Sequence, residues 1–403
     1  MSNKFKFIIM ALILMLIISV GAISLVSCGS KSESGYASGS GTEQDPYIIM
    51  TKEQLIGLAD KVNKGNNYSS AKYFALGADV DLGGMEWTPI GYDYVDNSNP
   101  KYPKSSFNKA FQGNFDGRGH IISNFKITQN LYVDGVEQLF RCFGFFGYAY
   151  NSIIENLGIT KFTIVAISEN VIFAGGLVGE ADNGHSVENA ITNCFASGNI
   201  FTVSNGYAYV GGLVGSNSST ITNCYAISDI SAEVAGGSWT FCVGGLVGRN
   251  DYIINDSYAI GNVCATSIYS DIDTYAGGLV GTDMGFAIIN NSSNTINNSF
   301  SVGNVSAIST KNSRSSSAFA GGFVGDVYED LSIISNCYCF DGQKFYIKED
   351  LDEYDTASNN LGEPCTLEQL NSKDFYISTL GWNSDVWDFT NLDFANGIYP
   401  TLK

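Results

Sequence analysis

The chain has 403 residues, with 40 Asp and Glu against 21 Lys and Arg, for a formal charge of −19. So acidic a surface repels phosphate backbones and anionic headgroups, and no nucleic-acid partner is expected. With 45 Gly, 23 Tyr and 25 Phe but only 6 Pro and 2 His, the composition suits an all-β protein and leaves little imidazole chemistry.

In chain order, Lys4 and Lys6 precede an apolar run from Phe7 to Ser27 without an acidic residue, the charge and hydropathy profile of a secretory signal over residues 1–27. The run could also cross a bilayer as a plain N-terminal helix, so its flank decides. It ends in Leu25-Val26-Ser27-Cys28, which resembles the lipobox of bacterial lipoproteins. That resemblance implies cleavage before Cys28 and acylation of its thiol and new amino terminus, palmitate included. The rest of the chain is then expected outside the cytoplasm, anchored to the envelope membrane by lipid and exposed at the cell surface. Residues 29–44, GSKSESGYASGSGTEQ, lack apolar anchors, so 28–44 reads as a lipidated Cys and flexible linker.

Residues 45–142 read as an N-terminal cap with the first coils. Tyr47–Met50 is a short strand. Thr51-Lys52-Glu53-Gln54 is a capping-box pattern leading into Leu55, Leu58, Ala59 and Val62 at helical spacing, so a helix is expected over about 51–63. Strand-like pieces follow at 73–82 and 86–91, then a polar loop at 92–107 and a tight turn at Asp116-Gly117.

From 143 to 345 a repeat takes over. Its first landmark is a pentad written five times: Gly175-Gly176-Leu177-Val178-Gly179, Gly211-Gly212-Leu213-Val214-Gly215, Gly244-Gly245-Leu246-Val247-Gly248, Gly277-Gly278-Leu279-Val280-Gly281 and Gly321-Gly322-Phe323-Val324-Gly325. The second landmark follows each pentad, as in AITNCFASGNI (190–200) and TITNCYAISDI (220–230). Each repeat offers three short strand-sized pieces and no room for a helix. Such a unit cannot bury its apolar side chains alone, but stacked on its neighbours at about 4.8 Å per layer it builds a continuous core. The fold class is therefore all-β, a right-handed parallel β-helix with short capping helices at both ends.

Stacking converts the repeats into columns. Ile191, Ile221, Ile254, Ile296 and Ile334 form an apolar column. Asn193, Asn223, Asp256, Asn298 and Asn336 form a ladder in which side-chain amides hydrogen-bond along the axis. Cys194, Cys224, Ser257, Ser299 and Cys337 form a column of small residues, read as buried thiols and hydroxyls, with a Cys194–Cys224 disulfide as the alternative. Phe195, Tyr225, Tyr258, Phe300 and Tyr338 form an aromatic column, read as core in preference to an outward stacking surface. The pentad glycines are expected to serve tight turns and close approach.

These motifs resemble the GLUG-motif repeats of bacterial surface proteins. FQGNFDGRGHIISNFKI is similar to the lead-in of that family and LGWNSDVWDFTNLDFANGIYPTLK to its end. The resemblance covers roughly 45–403 and implies a β-helix at a bacterial surface, in a family associated with adhesion; it brings no catalytic residues. Residues 346–403 are expected as a C-terminal cap, with Thr366-Leu367-Glu368-Gln369 opening a short helix and Trp382, Trp387 and Tyr399 closing the stack.

Chemistry-bearing groups are few. His120 and His185 are the only imidazoles, and no HExxH or His-x-His pattern exists. The position after each pentad reads Glu180, Ser216, Arg249, Thr282 and Asp326, which is no acidic column of the kind polysaccharide-cleaving β-helices use. Asp79, Asp81 and Asp116, with Arg118 near, are the best remaining group and read first as turn caps. Asp271-Ile272-Asp273 and the run from Lys348 to Asp355 are oxygen-rich without EF-hand placement. No metal or other cofactor is therefore expected, calcium being the one cation left open. The function expected is a lipid-anchored, non-enzymatic, adhesin-like module binding a host or matrix protein or a polysaccharide. The alternatives are a polysaccharide-active enzyme and a structural envelope spacer.

Overall fold

The computed structural model describes residues 35–92, 94–96, 104–130, 141–169, 171–184, 190–236, 240–268, 273–284, 294–309, 317–327, 332–349, 352–354 and 361–403. The repeat is built on four strands, one more than the periodicity suggested, the long second one being split in two in the coils that start at Ile253 and Asn294. In one coil these are Thr220–Thr222, Tyr225–Val234, Phe241–Gly244 and Val247–Asn250, and Ile253–Asn255 then returns to stack on Thr220–Thr222. Repetition builds four sheets along one axis. Sheet one has nine strands, from Tyr47–Ile49 to Ser332–Ser335; sheet two has thirteen; sheets three and four have six each, starting at Cys142–Phe143 and Phe146–Tyr150. All pairings within these sheets are parallel except the last hairpin strand, Asp352–Tyr354, which is antiparallel to Phe345–Glu349. The fold is a parallel β-solenoid.

The predicted columns stack in register. Ile191 pairs with Ile221, Ile221 with Ile254, Ile254 with Ile296 and Ile296 with Ile334; all but Ile334 are buried in the lumen. At the next corner Asn156, Asn193, Asn223, Asp256, Asn298 and Asn336 have φ between 49° and 53°. That left-handed conformation suits Asn and Asp, whose short polar side chains compensate its cost. Asn193 donates to Asn156 at 2.9 Å, Asn223 to Asn193 at 3.1 Å, Asn298 to Asp256 at 3.0 Å and Asn336 to Asn298 at 2.9 Å. Beside it, Cys194, Cys224 and Cys337 are buried free thiols. Each donates to a carbonyl two residues back, those of Thr192, Thr222 and Ser335, at 3.2 Å.

The pentad marks the corner between sheets three and four. Its glycines are not there for left-handed turns, since none has positive φ. They are there because backbone meets backbone. A Cβ on Gly211 would lie 2.1 Å from the Val214 carbonyl oxygen, one on Gly212 2.2 Å from that of Gly245, and one on Gly215 2.5 Å from that of Gly179. Leu and Val of each pentad are both buried. The chain kinks between them, so that the Leu246 carbonyl accepts from both Leu213 N–H and Val214 N–H.

The N-terminal end is covered by the helix Lys52–Asn63, which buries Leu55, Leu58, Ala59 and Val62. The Thr51 hydroxyl caps the Gln54 N–H, while the Gln54 side chain reaches one residue further back than a capping box, to the Met50 N–H. Residues 35–44 are packed structure, not linker. Tyr36 is 3% exposed, its ring stacks 4.7 Å from Tyr47, and Ser38 bridges to Ile48. The segment expected as a strand at 86–91 contributes only Glu86 to one, and the loop at 92–107 contains the hairpin Tyr94–Asp96 with Lys104–Ser106.

Two expectations about aromatic residues are corrected. Phe195, Tyr225, Tyr258 and Phe300 stack at 4.8–4.9 Å with ring planes within 7° of parallel, but on the outside of the solenoid rather than in its lumen. Tyr225, Tyr258 and Phe300 are nonetheless buried, because the C-terminal segment does not close the end of the stack. It folds back along the flank and lays Phe375, Tyr376, Trp382, Trp387 and Phe394 over the column. The Trp382 indole donates to the Asn298 carbonyl at 2.7 Å and the Tyr258 hydroxyl donates to the Pro400 carbonyl. A ladder of aromatic rings needs an apolar cover, and a segment with two Trp supplies it.

Candidate functional site

The aromatic column stops where the fold leaves a gap. One register position along sheet two is occupied in turn by Ile121, Gly158, Phe195, Tyr225, Tyr258, Phe300 and Tyr338. Gly158 has no side chain to continue the stack, and the ring of Phe195 lies across it, 2.4 Å from where a Cβ would be. The C-terminal segment also ends its cover here, with Trp387–Asp388 paired to Thr401–Leu402. Between them opens a cleft of about 370 Å³ with Leu157, Gly158 and Phe195 as floor and Val386 and Leu402 as one wall.

Its polar lining is made of the amide corners Asn156 and Asn193 and of four charged side chains, Asp116, Arg118, Asp385 and Lys403. The charges balance, unlike those of the chain as a whole. Asp116 is held by the turn it caps: Oδ1 accepts from the Arg118 N–H at 2.8 Å and from Asn156 Nδ2 at 3.0 Å. Arg118 itself sits 3.7 Å from Asp116 Oδ2, with 44% of its side chain exposed, so its guanidinium is offered to the cleft. Half-buried ring face, convergent amides and balanced charge at this volume describe a site for a small polar ligand with an apolar side.

A second cluster lies at the outer corner between sheets three and four. There Tyr148, Glu180, Ser216, Arg249, Thr282 and Asp326 stack on sheet four. Burial, with a contribution from Asp182 and against the pull of Arg141, raises the Glu180 carboxyl to about 7. The Cys142 thiol donates to Glu180 Oε2 at 3.5 Å and the Tyr148 hydroxyl to Asp182 at 2.8 Å. Two coils further, Arg249 pairs with Asp251 at 3.0 Å and lies over the Tyr209 ring.

The carboxylates read from the sequence do not converge. Asp79 Oδ1 accepts from the Ile121 N–H and meets His120 Nδ1, both at 3.0 Å, and those bonds hold its carboxyl below the usual range. Asp81 caps Gly83 at 2.7 Å and accepts from Asn124. Asp81 closes its own turn, as the turn-cap reading expected, whereas Asp79 binds across to the next coil. Cys28, His185 and Asp271 lie outside the described residues. Asp273 accepts from the Ser317 N–H at 2.8 Å, and of the run from Lys348 to Asp355 the described residues Lys348 and Glu349 pair with Glu353 and Asp352. Among the described residues no group of three His, Cys, Asp or Glu is placed to hold a metal, and no helix is long and apolar enough to cross a membrane. Sequence reasoning missed the cleft, although Asn156-Leu157-Gly158 aligned on Asn193-Cys194-Phe195 shows the column ending in glycine.

Comparison with known proteins bears on the architecture. The chain carries a GLUG motif. The family model described as "The GLUG motif" matches residues 206–231, which run from the approach to one pentad to the strand after its Asn corner. A "Putative Gly-rich membrane protein" of Evansella cellulosilytica is 30% identical over 135 residues, 33% of this chain. The match spans only 13% of that relative's length. Among solved structures, a "putative immunoglobulin A1 protease from Bacteroides ovatus" superposes with a TM-score of 0.60 at 23% identity, over 92% of this chain and 96% of that one. At that identity the likeness is one of fold. It places the solenoid beside an experimentally determined structure over 92% of the chain.

Proposed function

We propose that this GLUG solenoid is a non-enzymatic binding protein of the bacterial cell surface, tethered by lipid at Cys28, which takes a neutral polyhydroxylated ligand in the cleft at Phe195. The observation that carries the reading is the cleft itself. It combines an aromatic face for the apolar side of a sugar ring, the Asn156 and Asn193 amides for hydroxyls, and a balanced charge that favours neither anion nor cation. The engagement of Asp81 and Asp116 in their own turns, and of Asp79 by His120 and the Ile121 N–H, favours binding over cleavage. A polysaccharide-cleaving site needs two carboxyl groups facing one bond. The immunoglobulin protease activity named for the Bacteroides ovatus protein stays with that protein.

The test is a glycan and matrix-protein array probed with the purified chain, with and without calcium, beside Phe195→Ala and Arg118→Ala. Saturable binding to a neutral glycan, lost in Phe195→Ala, supports the proposal. Binding unchanged in both variants moves the site elsewhere, and silence across the array sinks the binding reading for those ligands. The tether is tested by metabolic labelling with palmitate, which Cys28→Ala must abolish.

A further inference from the structure

Sheet four contains a second polar ladder, wholly buried, which the proposed function does not use. Asn217, Asn250 and Asp283 share one register position on successive coils, each 0% exposed. Asn217 Nδ2 donates to Asn250 Oδ1 at 2.8 Å, and Asn250 Nδ2 donates to Asp283 Oδ1 at 3.0 Å. Each amide also donates within its own turn, to the Ser219 and Tyr252 carbonyls, both at 2.9 Å. The positions on either side are Ala181 and Val327, so Asp283 ends the run.

At Asp283 the donors run out. Its Oδ1 already accepts twice, from Asn250 and from Asn294 Nδ2 at 3.1 Å. Its Oδ2 is buried without a hydrogen-bond partner among the described residues, as are Asn294 Oδ1 and Ser332 Oγ. Asn294 and Ser332 are register partners on adjacent strands of sheet one, and the Ser332 hydroxyl faces the Asp283 carboxyl. Three oxygens thus share one hydrogen of their own, that of Ser332. An ionised Asp283 would add a buried charge with no cation beside it, and the amides of Asn250 and Asn294 and the Ser332 hydroxyl offset its burial only in part. The charged groups of the packed strands offer no relief: Arg249 is engaged by Asp251 at 3.0 Å, Asp251 acts on Asp283 as a like charge, and Asp326 brings another carboxylate on the next coil.

We propose that Asp283 is a buried carboxylic acid in the folded protein, its Oδ2–H taking the place that an Asn amide takes on the preceding coils, so that the last coils bind one proton which unfolding releases. The proton adds the missing donor, to Asn294 Oδ1 or Ser332 Oγ, and removes the charge. Burial pushes the carboxyl in the same direction, up from its ordinary value. A group with a raised native pKa contributes stability that is complete below the ordinary Asp value of about 3.9 and is lost as pH rises through the native one.

Two measurements on the full chain test this. The first is the infrared difference spectrum between wild type and Asp283→Asn at about pH 6, roughly two units above the ordinary Asp value. The protonated carbonyl band must disappear in the variant; loss of carboxylate bands alone overturns the proposal. Asp283→Ala must remove the same band, which keeps the test available if the Asn variant folds poorly. The second is amide exchange of residues 294–309 against pH. Wild-type protection should fall by up to about tenfold per unit between the ordinary and native pKa, and Asp283→Asn should remove that slope. Parallel slopes in the two proteins would equally overturn it.

Discussion

The indole Nε1–H of Trp387 donates to Oδ1 of Asn223 at 3.4 Å, joining residues 164 positions apart. Asn223 passes its own amide hydrogen to Asn193, and the next rung should pass one to Asn223. That rung is Asp256, which has no amide hydrogen and only accepts, from Asn298. Trp387 therefore sits where the corner ladder lacks a donor, and the C-terminal segment is fastened to the solenoid at the ladder's break.

A double-mutant cycle follows from this geometry. Asp256→Asn supplies the missing donor and should stabilise the protein by about 1 kcal/mol, the net value of one intramolecular hydrogen bond. Trp387→Phe removes the indole donor and should cost at least as much. In the Asp256→Asn background the cost of Trp387→Phe should shrink, because Asn223 keeps a partner. Denaturant unfolding of the four proteins measures the coupling, and strictly additive effects would refute it.

Two glycines, changed to the same residue, should respond in opposite directions. In Gly211→Ala the new Cβ meets the Val214 and Leu246 carbonyl oxygens and the Gly248 nitrogen at 2.1–2.7 Å, all backbone. Sheets three and four must then part, at a cost of about 3 kcal/mol or more. Gly57 lies inside the helix Lys52–Asn63 with nothing within 4 Å of where a Cβ would sit, and its change to Ala should stabilise by roughly 0.5–1 kcal/mol. Thermal unfolding of the two variants decides both.

What the sequence revealed and what it hid divide along a physical line. Columns repeat because stacked coils place like residues on like, so Ile221 over Ile254 and Asn193 over Asn223 could be read from spacing alone. The direction in which a column faces depends on the left-handed turn at residues such as Asn223 and Asp256, which resets the alternation between strands. Spacing therefore leaves the facing of the aromatic column open, and its apolar composition points to the wrong side. Its burial rests on contacts such as Tyr258 with Trp382 and Phe300 with Tyr376, which join segments far apart in sequence and have no local period. The cleft shares that origin, since Phe195 meets Val386 and Leu402 only after the C-terminal segment has folded back.

Trp382 is the centre of that cover. It is 2% exposed, stacks 4.4 Å from Trp387 and lies against Tyr258 and Phe300. Trp382→Ala should cost about 3–5 kcal/mol and leave the rings of Tyr258 and Phe300 in water. Binding of a hydrophobic dye should rise while the far-ultraviolet spectrum of the solenoid is kept. A variant that unfolds as a whole, losing that spectrum, would show instead that the cover is required for the solenoid itself.

Glu180 gives the corner cluster a measurable pH dependence. Burial is the main cause of its native value of about 7, with Asp182 adding to it and Arg141 opposing. The neutral form is thus favoured in the folded protein. Its contribution to stability is complete below the ordinary Glu value of about 4.3 and is lost as pH rises from there through the native value near 7. Glu180→Gln fixes the neutral state and keeps the acceptor for the Cys142 thiol. Between those two pH values the wild-type Tm should decline relative to the variant, which should end about 2–4 °C higher above pH 8. Near pH 4 the two should coincide. A variant that is less stable at high pH would mean that ionised Glu180 is held by Arg141, and that the Coulomb attraction of that pair outweighs the cost of burying the charge.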